Sequence, residues 1–410
     1  MGIDLKLGVI FLSLMLINLL YTLIAVIYPV TAQTRGVPSW VIGMVFSSMA
    51  AVSIPLSLWV GNNLSGLGRR KVIAAGLLLA SVALLMLAFI VYLDNTWFVV
   101  MSFGSRMVGG VAMAFVYTSG CAIITSDYPE NAQKYLPAAE FFGGIGLTIG
   151  PTLGAASYQV LGFTGIALVA AAPFVLLVVL VVVFVKPGSS LETSSSEFRL
   201  SGLLKNTNII LDAVLLVYVN TCITFLDPSL GPYLDSLGYS VSTIGVAFLM
   251  SCLGYCVTCL VLSFTIDKLD IKLLQSVSLV VCSLMVALVP SWYQTGPVLT
   301  FAALACIGVA LACPFSATMT AMAEIAQIAG FKKTDQLQDA ISGIFTFAFS
   351  IGDIAGPLVS GFMVHWLSFE TSMLVMSCVG LVLSCVYIPF CIRFKLLHRD
   401  KSNYFLLETE

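Results

Sequence analysis

The most constraining feature of this sequence is a series of apolar runs, each about as long as a membrane is thick. A bilayer core about 30 Å thick takes a helix of about 20 apolar residues. Runs of that length recur along almost all of the 410 residues, with short polar connections between them. Charged residues make up 9% of the chain, against roughly 25% in soluble domains. We therefore expect an all-α, polytopic membrane protein.

The runs predict twelve transmembrane helices. Their approximate bounds are 8–31, 39–61, 72–93, 97–125, 136–158, 163–185, 209–233, 242–265, 271–290, 297–325, 339–364 and 370–392. The one long polar connection predicts a flexible linker over 186–208 between an N-terminal bundle, 1–185, and a C-terminal bundle, 209–392. Residues 393–410 then form a tail.

The two predicted bundles repeat one another. Gly146-Leu-Thr-Ile-Gly150-Pro151 in the fifth span recurs as Gly352-Asp-Ile-Ala-Gly356-Pro357 in the eleventh. The basic connection from Gly61 to Lys71 recurs around Asp267 and Lys268. Two pseudo-symmetric six-helix bundles are the architecture of transporters that hold their substrate between the repeats.

The basic residues predict the orientation in the membrane. All of the 18 Lys and Arg residues except Arg35 and Arg106 fall on the side of the two chain ends. Because such residues collect on the cytoplasmic side, we expect both termini in the cytoplasm. The formal net charge of −2 indicates no nucleic-acid partner.

Signals of enzymes and of bound groups are absent from the sequence. It has no phosphate-binding G-x-x-x-x-G-K-[ST] loop, and its only two histidines, His365 and His398, form no catalytic or metal-ligand cluster. We expect no enzymatic activity, metal or cofactor. Energy must then come from an ion gradient, and we expect protons.

Five ionisable residues inside the predicted spans are candidate substrate- or proton-binding residues, because such side chains are costly in a membrane and are usually functional. They are Arg106, Glu140, Asp227, Glu324 and Asp353. Four acids against one base favour a cationic substrate. Arg106 either holds one of the acids or ties its helix to a neighbour.

Each acid also has a structural alternative. Asp227 precedes Pro228, with Pro232 one turn later, which predicts a broken helix that lines water; the alternative is a cap at a helix end. Glu140 lies beside two phenylalanines that suit an organic ammonium; the alternative is a structural pair with Lys134 or with a base from another helix. Glu324 is otherwise a solvated interfacial acid, and Asp353 an interhelical hydrogen-bond anchor.

The glycines and prolines are interpreted as packing faces and hinges, because small residues four apart let helices approach closely. This group comprises Gly146, Gly150, Pro151, Gly154, Pro228, Pro232, Gly352, Gly356 and Pro357. A second group, Gly61, Gly68, Arg69, Arg70, Asp267 and Lys268, is interpreted as a topology determinant or a gating latch.

These motifs resemble those of the major facilitator superfamily. The connection Gly61 to Lys71 is similar to its loop motif, although Ser65 replaces the usual acid, which is present in the second half as Asp267. Arg106 followed by Gly109-Gly110 is similar to its fourth-helix motif. The series Gly146, Gly150, Pro151 and Gly154 resembles the fifth-helix motif of proton antiporters.

Three further stretches resemble the vesicular amine transporter group, most of all its polyamine branch. They are Thr224-Phe-Leu-Asp227-Pro228-Ser-Leu, Ala139-Glu140-Phe-Phe-Gly-Gly-Ile-Gly-Leu and Ala323-Glu324-Ile. Ile17 and Thr346 stand where monoamine members carry acids, so a monoamine or acetylcholine substrate is not expected.

The sequence thus predicts a proton-coupled antiporter of organic cations such as polyamines, working as a monomer by alternating access. The alternatives are a broader exporter of drugs and organic cations, and a non-transporting membrane scaffold or receptor. Tyr404-Phe-Leu-Leu407 fits a pattern that sorting adaptors bind. We therefore expect a vesicle or endolysosomal membrane more than the plasma membrane.

Overall fold

The computed structural model is helical throughout the residues that it describes, which are 5–128, 132–185, 203, 205–265, 269–291, 297–331 and 335–407. Twelve α-helices are found there. They are α1 (Leu5–Thr22), α2 (Ile27–Thr34), α3 (Ser39–Leu67), α4 (Arg69–Phe89), α5 (Asn95–Asp127), α6 (Ala132–Phe184), α7 (Thr207–Ser236), α8 (Val241–Thr265), α9 (Ile271–Leu288), α10 (Pro297–Ile328), α11 (Asp335–Trp366) and α12 (Phe369–Leu407).

These helices make twelve membrane crossings. α1 and α2 together form one apolar span, Leu5–Thr34. The apolar part of α6, Phe141–Phe184, has 44 residues, which at 1.5 Å per residue is about twice the thickness of a bilayer core. α6 is therefore two crossings, joined at Gly162, whose φ of 62° lies in the left-handed region that favours glycine. The predicted all-α fold with twelve transmembrane helices is confirmed.

The chain forms two compact units. The first contains Met1–Ser195, Ile223–Cys252 and Asp353–Phe369, and the second contains Ser196–Cys222, Leu253–Gly352 and Glu370–Glu410. α7, α8 and α11 therefore each pass from one unit to the other along their length. The predicted division into residues 1–185 and 209–392 stays a prediction, and residues 186–202 of its linker lie outside the described residues.

Inside the first unit, α1 packs on α6, and α4 and α3 both pack on α5. The α1–α6 contact depends on the glycine series of the fifth span. A Cβ atom on Gly146 or Gly150 would overlap, respectively, the Met15 carbonyl oxygen or the Thr22 hydroxyl of α1, and one on Gly154 would overlap the carbonyl oxygen of Leu23, which directly follows α1. These three glycines thus form the face on which the helices meet.

Two sequence expectations about local structure are wrong. The connection Gly61 to Lys71 is almost entirely helical, since α3 continues to Leu67 and α4 begins at Arg69. Only Gly68, with φ of 83°, makes the turn, because one glycine in the left-handed region is enough to reverse the chain. α7 is also unbroken, and both Pro228 and Pro232 lie inside it. A proline removes one hydrogen bond, and the remaining helical bonds and the packing around α7 keep the helix continuous.

Candidate functional site

The first unit buries Arg106, whose side chain is held mainly by aromatic rings. The residue lies in the middle of α5 and is 4% exposed. Its guanidinium carbon is 4.6 Å from the ring centre of Phe46 and 6.0 Å from that of Tyr21. Nη1 donates a hydrogen bond of 2.9 Å to the Tyr21 carbonyl oxygen. Cation–π attraction thus replaces part of the hydration that the guanidinium loses on burial.

The hydrogen bonding of Arg106 is incomplete within the described part of the chain. Nε and Nη2 are buried and have no partner there. A cavity of about 10 Å³ lies beside the guanidinium, lined by residues of α1, α3, α4 and α5 that include Leu20, Met49 and Ser105. That volume suits about one water molecule, so an organic amine does not fit in this cavity.

Two acids, Asp227 of α7 and Asp353 of α11, are electrostatic neighbours of each other and of Tyr21. Asp227 is an electrostatic neighbour of both Arg106 and Asp353. Tyr21 interacts with all three charged residues. Both acids are nearly buried, at 7% and 8% exposure. We call Arg106, Asp227, Asp353 and Tyr21 the charged cluster; with both acids ionised it carries one net negative charge.

Close helix packing places Arg106 in this cluster. A Cβ atom on Gly110 would overlap the Met49 carbonyl oxygen, so only glycine allows α5 this near to α3. α3 carries Phe46, one of the rings that covers the guanidinium. Gly110 therefore brings the cation–π partner of Arg106 within reach.

The other two predicted acids are not part of the cluster as described. Glu140 falls in α6, and its side chain lies outside the described residues. Nearby, Phe142 stacks on Phe11 with ring centres 5.1 Å apart. Glu324 of α10 belongs to the second unit and is exposed, and its electrostatic neighbours are Lys272 and Asp270.

The remaining predicted residues occupy varied positions. Pro151, Pro228, Pro232, Gly352, Gly356 and Pro357 are buried, whereas Gly61 is exposed and Gly68, Arg69 and Arg70 are partly buried. A Cβ atom on Gly352 would lie 2.7 Å from Cβ of Asn220, so α11 meets α7 there. Asp267, Lys268 and the side chains of Tyr404–Leu407 lie outside the described residues.

Sequence reasoning missed a second buried charge pair, which lies in the second unit. Lys272 Nζ of α9 is 2.5 and 2.7 Å from the two carboxylate oxygens of Asp212 in α7. The Tyr387 hydroxyl of α12 donates to Asp212 Oδ1 at 2.7 Å and lies 2.9 Å from Gln275 Oε1. The Asp212 side chain is fully buried and that of Lys272 is 14% exposed.

The predicted set of four interior acids was therefore incomplete, because it left out the buried Asp212. Its position inside the predicted seventh span, 209–233, was a signal that could have found it. Lys272 lies at the start of the predicted ninth span, 271–290, and was counted with the basic residues on the side of the chain ends. Burial of its ammonium depends on packing against α7 and α12, which a sequence pattern does not show.

Sequence comparisons identify the family and several related transporters. The sequence model of the Major Facilitator Superfamily matches residues 10–332. The human MFS-type transporter SLC18B1 is 25% identical over 358 residues, which cover 85% of this chain and 78% of that protein. The human chromaffin granule amine transporter is 22% identical over 364 residues, covering 85% of this chain and 64% of that protein. The predicted resemblance to the vesicular amine transporter group is confirmed.

Solved structures agree on the fold. A D323A mutant of the nucleoside transporter NupG superposes with a TM-score of 0.73 at 16% identity, covering 94% of this chain and 99% of that one. A bacterial homologue of the human lysosomal transporter Spinster, in an inward-facing and occupied conformation, gives a TM-score of 0.74 at 13% identity, with 94% and 96% covered. The family model matches most of the chain, and the relatives named above are transporters. The two solved transporter structures share the fold of this chain. This multi-pass membrane protein belongs to the major facilitator superfamily and is a transporter, not an enzyme.

Proposed function

We propose that this transporter exchanges protons for organic cations, polyamines first, by alternating access. The observation that carries the proposal is the charged cluster, in which both carboxylates are nearly buried and Asp227 interacts electrostatically with both Arg106 and Asp353. A buried charge is costly unless a partner compensates it. Arg106 balances only one of the two negative charges. A proton or a substrate ammonium neutralises the other, and competition between them for the carboxylates couples proton movement to cation movement.

Two features support an amine as the substrate. Asp227 and Glu140 both fall in stretches that resemble the vesicular polyamine branch, and the chain is similar to vesicular amine transporters. A polyamine carries several separated ammonium groups, so it requires several acids along its path. Glu140 and Glu324 supply candidates outside the charged cluster.

The topology supports a location in vesicles. The collection of Lys and Arg on the side of the chain ends supports cytoplasmic termini, and the proposed direction of transport takes the cation from the cytoplasm into an acidic lumen. The tail pattern Tyr404–Leu407 then faces cytoplasmic sorting adaptors. One chain contains all the residues invoked, so the monomer is the proposed working unit.

Uptake into proteoliposomes tests the proposal. Labelled spermidine is supplied outside vesicles whose lumen is acidic, with wild type, Asp227→Asn and Glu140→Gln. The matched control is Asp235→Asn, which removes an exposed acid from the same helix as Asp227. We expect uptake that a protonophore abolishes, loss of uptake in both test variants, and wild-type uptake in the control.

Two outcomes would redirect the proposal. Equal competition by spermidine and by bulky hydrophobic cations would indicate the broader exporter of organic cations. No amine uptake and no substrate-dependent proton flux, from folded protein, would indicate a scaffold or another solute.

A further inference from the structure

A row of hydrogen-bonded groups crosses the second unit and, while Asp212 is ionised, ends on both sides at a group that only accepts. It begins at the Asp212 carboxylate of α7, whose Oδ1 lies 2.7 Å from the Tyr387 hydroxyl of α12. The Gln275 amide of α9 follows, 2.9 Å from Tyr387 and 3.0 Å from the Thr318 hydroxyl of α10. The Thr318 hydroxyl lies 2.6 Å from the Pro314 carbonyl oxygen. We call these five groups the polar chain; its four side chains are at most 1% exposed.

The polar chain is one proton short while Asp212 is ionised. Each of its four contacts needs one hydrogen. A hydroxyl supplies one, and an amide between two neighbours donates to one and accepts from the other, so Tyr387, Gln275 and Thr318 fill three contacts. Turning the amide over moves the unfilled contact along the polar chain without removing it. A proton on Asp212 fills the fourth contact, because a carboxylic acid donates.

Lys272 is the counter-ion that such a proton would displace. Its Nζ lies 2.5 and 2.7 Å from the Asp212 carboxylate oxygens. A longer contact of 3.4 Å to the Tyr387 hydroxyl fills none of the four contacts of the polar chain. The Lys272 side chain is 14% exposed and has Glu324 of α10 as an electrostatic neighbour, so the ammonium keeps some water and a second acid. In the described part of the chain, further ionisable groups that interact with this site are Cys391 of α12 and Asp270, which precedes α9.

We propose that Asp212 is a proton-binding site of the second unit, at which the bound proton is donated to Tyr387 and Lys272 turns toward Glu324. Two free-energy contributions oppose one another there. Protonation gives up an ion pair that, once desolvation is counted, contributes little net stability. It also completes the polar chain, and a buried hydrogen bond left unmade costs about 1–3 kcal/mol. The gain offsets the loss, so a change of pH moves the site from one state to the other.

The ligand of this site is a proton and not an organic cation, because the Lys272 ammonium already contacts both carboxylate oxygens of Asp212. The site is also distinct from the charged cluster, whose residues all lie in the first unit. It therefore goes beyond the proposed function without resting on it, since proton binding at Asp212 needs no transported amine.

Infrared difference spectroscopy of purified protein in nanodiscs detects the bound proton directly. A protonated carboxyl group shows a carbonyl stretch that an ionised carboxylate lacks, so a titration between about pH 5 and about pH 8, where most proteins stay folded, follows its appearance. We expect a reversible carbonyl band in wild type that is missing when Asp212→Asn is combined with Lys272→Met. Combining the two substitutions avoids an uncompensated buried ammonium.

The matched control is Asp235→Asn, which removes an exposed acid from the same helix as Asp212 and should keep the band. If the band persists unchanged in the double variant, Asp212 binds no proton and the proposal is overturned.

Thr318→Val tests the polar chain without changing a charge. Without the Thr318 hydroxyl, two contacts remain, and one hydrogen each from Tyr387 and Gln275 fills them while Asp212 is ionised, so the shortage disappears. At the pH where half of Asp212 is protonated in wild type, we therefore expect an at least threefold weaker acid band in Thr318→Val. Thr300→Val is the matched control, because Thr300 is an equally buried residue of α10 whose hydroxyl donates to the Val289 carbonyl oxygen. A wild-type titration in Thr318→Val would overturn the proposal.

Uptake assays keep this inference apart from the proposed function. A wild type that shows the Asp212 band but takes up no spermidine would remove the proposed substrate and leave the proton site in place. Uptake by a wild type without an Asp212 band would overturn the proton site alone.

Discussion

The buried pair of Asp212 and Lys272 allows a quantitative prediction. At 2.7 Å, two unit charges attract by about 6 kcal/mol at an effective dielectric constant of about 20. Burying each ion costs several kcal/mol, so the intact pair contributes little net stability. Removing one partner leaves an uncompensated buried charge, at a cost of about 3–5 kcal/mol.

We therefore expect Lys272→Met and Asp212→Leu each to lower the free energy of unfolding by about 3–5 kcal/mol. The double variant should lie within about 1 kcal/mol of wild type, because methionine and leucine fill similar volume without charge. The difference between the double variant and the sum of the singles is the coupling energy of the pair. It should reach about 5 kcal/mol or more.

The assay is reversible unfolding by a denaturing detergent in mixed micelles, followed by helical circular dichroism. Lys71→Met is the control, since it removes an exposed lysine, and we expect a change of at most about 0.5 kcal/mol. The reasoning would be refuted if both single variants cost less than about 1 kcal/mol, or if the double variant were as unstable as the sum of the singles.

Two further predictions concern the first unit. Gly146→Ala should destabilise the protein by about 1–3 kcal/mol in the same assay, because its methyl group overlaps the α1 backbone. Gly144→Ala, which meets no atom within 4 Å, should stay within about 0.5 kcal/mol of wild type, and equal effects would contradict the packing role. Arg106→Lys should fold and yet lose most spermidine uptake, because an ammonium lacks the planar face that lies over Phe46. Uptake above half of the wild-type rate would show that charge alone is enough.

The sequence predicted the crossings well, because the length of an apolar span depends on the thickness of the membrane and not on packing. The turn at Gly162 separates the fifth and sixth spans where the apolar runs placed a break. The relation among Arg106, Asp227 and Asp353 was only partly predictable. The free-energy cost of an ionisable side chain inside a membrane marks these three residues as unusual. Uniformly apolar runs, however, do not show which way each side chain faces.

Errors arose where packing decides the structure. α7 stays helical through Pro228 and Pro232, and the burial of Lys272 depends on three helices that are distant in sequence. The sequence also showed no sign of the backbone contact between Gly43 of α3 and Gly361 of α11, where a Cβ atom on Gly43 would lie 2.9 Å from the Gly361 Cα atom, although each glycine lies in a predicted span. A single glycine becomes informative only when its neighbour on the other helix is known.

The charged cluster has a consequence for the leakage of protons, that is, for their movement without a cation under the proposed antiport. Arg106 lies on α5 and Asp227 on α7, so their attraction holds together helices from the two sequence repeats. While Asp227 is ionised and binds neither a proton nor an ammonium, separating these helices would leave the buried charges of Arg106 and Asp227 without compensation. A proton or an ammonium on the carboxylate removes that penalty. Under the proposed antiport, an empty transporter would therefore change conformation slowly, and protons would cross the membrane only when a cation moves in the opposite direction.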